Sequence, residues 1–218
     1  LTLAKYTYSN DVTIGISDAN RVSAKYMNTV GMFVKTLPYR ETIDWKKQIV
    51  EYIKGVQKKI MDVYSHNTCN YEELLKHIKL NRMLNRTPLF DTLFVCQNKV
   101  ENIKIGNNEA HITEIKRNNA KFDITFEVVP SSNMYITVEY RTSLYNEDTI
   151  RRFVSNYLNV LNYVLDNENA NKQLTRLSKV VFNKETALEG IEEGEFTGRI
   201  PSLEGRTPSE VIKVTVFQ

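Results

Sequence analysis

"GMFVKTLPYR", Gly31–Arg40, is apolar through its first half, opens on glycine, holds a proline and ends on arginine. Its chemistry predicts a buried strand, Met32–Leu37, with Pro38 ending the hydrogen-bonding run. Met27, Met32, Phe33 and the tyrosines read as core on the same grounds. Taken alone, the segment is a strand that meets a turn.

Working outward, Val12–Ile16 is a second short β-branched run. After Arg40 the period changes. Trp45, Ile49, Ile53, Val56, Ile60 and Val63 recur at steps of three and four, the stripe of a long helix. Thr42 is its expected N-cap, with Asp44 in the positive first turn. "NYEELLKHI" predicts a shorter helix, with Asn70 and Glu73 as a capping pair and Tyr71, Leu74, Leu75 and Ile78 inward.

"PLFDTLFVCQ" from Pro88 predicts a buried strand. Lys121–Val128 and Met134–Tyr140 alternate strictly around "PSSN", which predicts an antiparallel hairpin. Phe122, Ile124, Phe126, Met134, Ile136 and Val138 should share its inner face. Asn146 opens the last helix, with Ile150, Phe153, Val154, Tyr157, Leu158, Leu161 and Leu165 on one side. Strands and helices mix without a βαβ repeat, so the fold class is α/β (α+β), a mixed β-sheet flanked by helices.

A chain of 218 residues can bury a real core as one large domain or two small ones. Its composition, 41% hydrophobic and 25% charged, is globular. The net charge of +3 is spread among carboxylates, which argues against a nucleic-acid partner. Cys69 and Cys96 give no disulfide framework and suit a cytoplasmic location. No run approaches the roughly 18 apolar residues of a membrane span.

The opening "LTLAKYTYSNDVTIG" reads as a helix already running. Half of the 8 glycines and two of the 5 prolines follow Leu188, so the tail differs in composition from the body. The expected division is a domain over residues 1–182 and a linker or appended tail over 183–218. Within that tail "VIKVTVF" can form a strand wherever a sheet edge is free.

Catalytic chemistry is hard to assemble from spacing. His66, His77 and His111 lie in no paired-histidine, HxxxD or HExxH setting. A zinc site from His66 and Cys69 would need two further ligands, and none is suitably spaced, so no metal site is expected. GxSxG, Walker and GxGxxG patterns do not occur. Asp123, Thr125 and Glu127 share one strand face, which solvated alternation explains.

Four segments in order nevertheless resemble one family, the condensation domains of nonribosomal peptide synthetases, in their C-terminal half. "IGISDANR" (Ile14–Arg21) resembles a GxPxAGR-type stretch and keeps Gly15, Ala19 and Arg21, with Asp18 for the proline and Asn20 for the second glycine. "VGMFVKTLPYR" (Val30–Arg40) resembles IGxFVNTLPLR, with Lys35 where asparagine is usual. "HNTCNYE" (His66–Glu72) is similar to HQDYPFE at its ends. "RMLNRTPLFD" (Arg82–Asp91) resembles RDxSRNPLFD. The likeness covers roughly residues 1 to 180, and its form favours ordinary condensation over epimerisation or heterocyclisation.

The resemblance implies a chloramphenicol-acetyltransferase-like half of a two-half enzyme. In that family, donor and acceptor aminoacyl thioesters arrive on phosphopantetheine arms of carrier proteins, and the acceptor amine attacks the donor thioester. It implies as partners the N-terminal condensation subdomain, peptidyl or acyl carrier proteins and an adjacent adenylation domain, with no cofactor held directly. The family's HHxxxDG belongs to the other half and is absent from this chain, so the chain is expected to be inactive alone.

Arg21 matches the arginine that braces the HHxxxDG aspartate; without that partner it should be solvated or re-paired. His66, Arg82 and Arg86 match positions near the tunnel or subdomain junction. Gly15, Gly31, Phe33, Thr36, Arg40 and Pro88 match motif packing positions. Two other readings stay open: a non-catalytic docking or scaffold domain for carrier proteins, and an acyltransferase relative that uses coenzyme A.

Overall fold

A computed structural model describes residues 1–69, 71–78, 87–97, 103–110, 119–130, 134–179, 195–199 and 211–217. The described elements run α1 (Thr2–Thr7), β1 (Asp11–Asp18), β2 (Lys35–Thr42), α2 (Ile49–Ser65), α3 (Tyr71–His77) and β3 (Thr92–Cys96). A small hairpin β4 (Ile103–Ile105) and β5 (Asn108–Ala110) follows, then β6 (Ile124–Val129), β7 (Tyr135–Tyr140), α4 (Glu147–Leu165), β8 (Glu195–Arg199) and β9 (Val211–Phe217). Seven strands form one sheet in the order β2-β1-β3-β6-β7-β9-β8. Parallel pairs join β1 to β3, β3 to β6 and β7 to β9, so the sheet is mixed as expected.

The hairpin β6–β7 follows its alternation. Ile124, Phe126, Val128, Ile136, Val138 and Tyr140 point to one face and are buried under Ile150, Phe153, Val154 and Leu158 of α4. Burying each aliphatic side chain there contributes about 1.5–3 kcal/mol. The cap of α4 is the expected one: Asn146 Oδ1 accepts from the Thr149 amide at 3.0 Å. The "PSSN" turn falls mostly outside the described residues. Phe122 departs from the expected face; it precedes β6 and stacks on Phe90, with ring centroids 5.7 Å apart.

Asp123 is also a correction. It is buried rather than solvated, and Arg141 Nη1 lies 3.0 Å from its Oδ1. The backbone explains this: residues 121–123 precede the regular strand, and the Arg141 amide donates to the Asp123 carbonyl at 3.0 Å.

The strand expected at Met32–Leu37 is shifted. β2 begins at Lys35, runs through Pro38 and ends at Thr42, paired antiparallel with β1 from Lys35–Asp18 to Thr42–Asp11. Pro38 does not end it, because β2 is the edge of the sheet, where proline is tolerated. Met32 is 92% and Val30 100% exposed, and Met27 and Tyr8 are exposed as well. These are not core residues.

Helix α2 also starts later than Thr42 implies. Residues up to Thr42 belong to the strand, and Asp44 Oδ1 closes a turn on the Lys46 amide at 3.0 Å. The helix begins after Gln48, which makes no side-chain cap bond. Its first free amides find backbone instead: Ile49 donates to the Lys172 carbonyl and Val50 to that of Ala170, both at 3.0 Å. The inner stripe is Ile49, Tyr52, Val56, Ile60 and Val63, with Ile53 turned outward.

Gly15 shows why its position demands glycine. A Cβ there would sit 2.3 Å from the Phe90 ring, on the sheet face opposite Ile14 and Ile16. Phe90 in turn packs on Tyr71 of α3, 5.7 Å between centroids. The expected cap Asn70 lies outside the described residues, as does His111. The tail segment "VIKVTVF" forms the strand β9, paired parallel with β7 on one side and antiparallel with β8 on the other.

Core residues fall into three clusters, under α4, between α1 and α2, and on β1–β2. They line an apolar cavity of about 280 Å³ that is open on one side.

Candidate functional site

The candidate site is the corner where β1 ends, β2 begins and α2 stops. Asp18 closes β1 and accepts the Asn20 amide on Oδ1 at 2.9 Å. Asn20 then adopts φ 50°, the left-handed conformation that asparagine tolerates better than most residues. This turn launches Arg21.

Arg21 is held by backbone carbonyls and an aromatic ring. Its Nη1 donates to the carbonyls of Tyr26 and of Thr29, the latter at 2.9 Å. Its guanidinium lies 4.5 Å from the Phe33 ring centroid, and the Tyr26 and Phe33 ring centroids are 5.7 Å apart. The side chain thus ties the 22–33 segment to the end of β1. Around it Val22, Met27, Val30, Met32 and Val34 stand exposed.

The residues that depart from the family pattern meet in one network. Asn67 Nδ2 donates to Asp18 Oδ2 at 2.6 Å and to Asn20 Oδ1 at 3.5 Å. Lys35 Nζ donates to the Asn67 carbonyl at 3.3 Å. Tyr64 Oη donates to the Ser17 carbonyl at 3.1 Å, and burial, with the charge of Asp18, raises its pKa. Asp18, Asn20, Lys35 and Asn67 are thereby joined in one hydrogen-bonded brace. Sequence reading marked Asp18, Asn20 and Lys35 singly and could not join them, because 49 positions separate Asp18 from Asn67.

His66 ends α2. Its Nδ1 lies 2.8 Å from the Asp62 carbonyl oxygen and 3.0 Å from Ser65 Oγ, and the ring is exposed. It is one residue from Asn67 and the network, and its ring bonds stay within the end of α2. His77 is a hydrogen-bonded surface residue, its Nδ1 2.8 Å from the Glu73 carbonyl oxygen. Arg82 and Arg86 lie outside the described residues.

Of the other motif positions, Gly31 is exposed, Phe33 and Thr36 are half-buried, and Thr36 stands opposite Ser17 in the β1–β2 register. The Pro88 carbonyl accepts from Tyr71 Oη. Arg40 differs from its expected packing role. It is exposed and reaches across the strands to Asp11, Nε to Oδ1 at 2.8 Å, which holds the Asp11 carboxyl below its ordinary pKa. Among the described residues, no group of three or more His, Cys, Asp or Glu side chains could hold a metal ion.

No helix among the described residues is long and apolar enough to cross a membrane. Residues 1–184 match the family described as condensation domain. Tyrocidine synthase 3 of Brevibacillus parabrevis is 34% identical over 169 residues, which are 76% of this chain and 3% of that protein. Among solved structures, holo-AB3403, a four domain nonribosomal peptide synthetase bound to AMP and glycine, matches 81% of this chain and 14% of its own, with TM-score 0.69 and 16% identity. The X-domain in complex with OxyB from teicoplanin biosynthesis matches 84% of this chain and 40% of its own, with TM-score 0.65 and 15% identity. The chain thus spans a few per cent of the curated relative and under half of these solved chains. The mixed sheet, the four motif segments and the match over residues 1–184 agree: this chain belongs to the condensation-domain family.

Proposed function

We propose that this chain is the C-terminal half of a peptide-bond-forming condensation domain, residues 1–182, followed by a linker or appended tail. In the complete reaction an acceptor amine attacks the carbonyl carbon of a donor thioester. The C–N bond forms, the C–S bond breaks, the phosphopantetheine thiol leaves and the amine gives up one proton. The work of this half is positioning two tethered reactants and keeping water out.

The observation that carries the reading is the Arg21 corner. A cation fixed by two carbonyls and a ring stands beside an exposed apolar segment, Val22–Val34. That pairing suits an interface with a second half that brings an acidic group. The partners are that N-terminal half, carrier proteins with phosphopantetheine arms and an adenylation domain. The Asp18–Asn67–Lys35 brace holds the corner in place.

The test is a reconstituted dipeptide assay with loaded carrier proteins. This chain alone should give no product. Adding a separately produced N-terminal half with HHxxxDG should restore it, and Arg21→Ala should then cut the rate by about tenfold or more, the loss of about 1.4 kcal/mol of positioning. Product from the chain alone would overturn the fragment reading. The likeness to the X-domain, whose solved complex is with OxyB, favours a second reading, a docking domain. It predicts carrier or enzyme binding with no product even when the other half is supplied.

A further inference from the structure

The cavity between the three core clusters is separate from the Arg21 corner. Val12, Ile14, Val56, Phe94, Phe126 and Leu161 are among the apolar residues of its wall. Polar groups gather at the β2–α2 end. Tyr39 Oη donates to Glu41 Oε2 at 2.7 Å, and Lys59 Nζ lies 3.0 Å from the same oxygen. Glu41 Oε1 has no hydrogen-bond partner among the described residues.

Tyr52 also lines this end, and its phenol has no hydrogen-bond partner among the described residues. Burial first, then the charge of Glu41, raises its pKa, so it stays a donor. An apolar wall with an open acceptor and an open donor at one end is the usual build of a small-molecule site.

We propose that this cavity binds a small uncharged amphiphile, an aromatic or branched aliphatic body with one hydroxyl or amide head. A cavity of about 150 Å³ takes benzene, so this one has room for about nine to twelve non-hydrogen atoms. The head would donate to Glu41 Oε1 and accept from the Tyr52 phenol. Charged heads fit poorly. A carboxylate would face Glu41, and an ammonium would lose its hydration beside a carboxylate that Lys59 already balances. The site stands independently of the condensation reading.

The experiment titrates the 218-residue chain with 2-phenylethanol, ethylbenzene, 3-phenylpropionate and 2-phenylethylamine, followed by amide NMR shifts. 2-Phenylethanol should give saturable shifts in β2, α2 and α4 and bind about tenfold tighter than either ion. Val56→Phe, which fills the cavity, should abolish binding of 2-phenylethanol and ethylbenzene alike. Tyr52→Phe should weaken 2-phenylethanol severalfold and leave ethylbenzene unchanged. Absence of saturable shifts, equal affinity for charged and neutral guests, or undiminished binding by folded Val56→Phe overturns the proposal. Should Val56→Phe fail to fold, an unchanged preference for the alcohol in Tyr52→Phe overturns it as well.

Discussion

The β6–β7 hairpin and the segment from Arg21 to Val34 are both rich in apolar residues, yet one is the centre of the core and the other lies largely on the surface. The hairpin alternates, so each apolar side chain falls on the face that α4 covers. The segment has no period, and a 3₁₀ turn at Ala24–Tyr26 scatters its side chains. Apolarity with a period predicts burial; apolarity without one predicts only that something must cover it.

Substitutions can break that contrast. Ile136→Ala, at 1% exposure, should cost about 2–5 kcal/mol in urea unfolding, since it opens a hole under α4. Asn146→Ala removes the cap of that helix and should cost about 1 kcal/mol by the same measurement. Met32→Ser should change the stability of this chain by under about 0.5 kcal/mol. A Met32→Ser loss as large as that of Ile136→Ala would mean the segment packs inward in solution. A small loss that grows when the N-terminal half is present would mark Met32 as interface.

Much of the fold was legible because its signals are local. The hairpin, α4 with its Asn146 cap and the stripe on α2 are periodicities within one element. Motif letters were equally legible and led to the family. What escaped the sequence depends on neighbours distant along the chain. β2 could extend through Pro38 only because no strand lies beyond it. The start of α2 is set by carbonyls at Ala170 and Lys172.

The β4–β5 hairpin did leave a signal, Gly106 with φ 63° followed by Asn107 between two short strands, a pattern that favours tight turns. At the site, Arg21 was legible as a motif letter, and its contacts with the Tyr26 and Thr29 carbonyls lie within eight residues of it. The Asp18–Asn67–Lys35 brace was not legible, since hydrogen bonds between distant side chains leave no periodic trace.

The cavity makes volume a variable of this protein's stability alongside heat and denaturant. Any part of that space the apolar wall keeps dry is filled by water on unfolding, so compression shifts the balance toward the unfolded chain. A guest that filled the space would remove that advantage. Hydrostatic pressure should therefore act on this core through the same space a guest would fill.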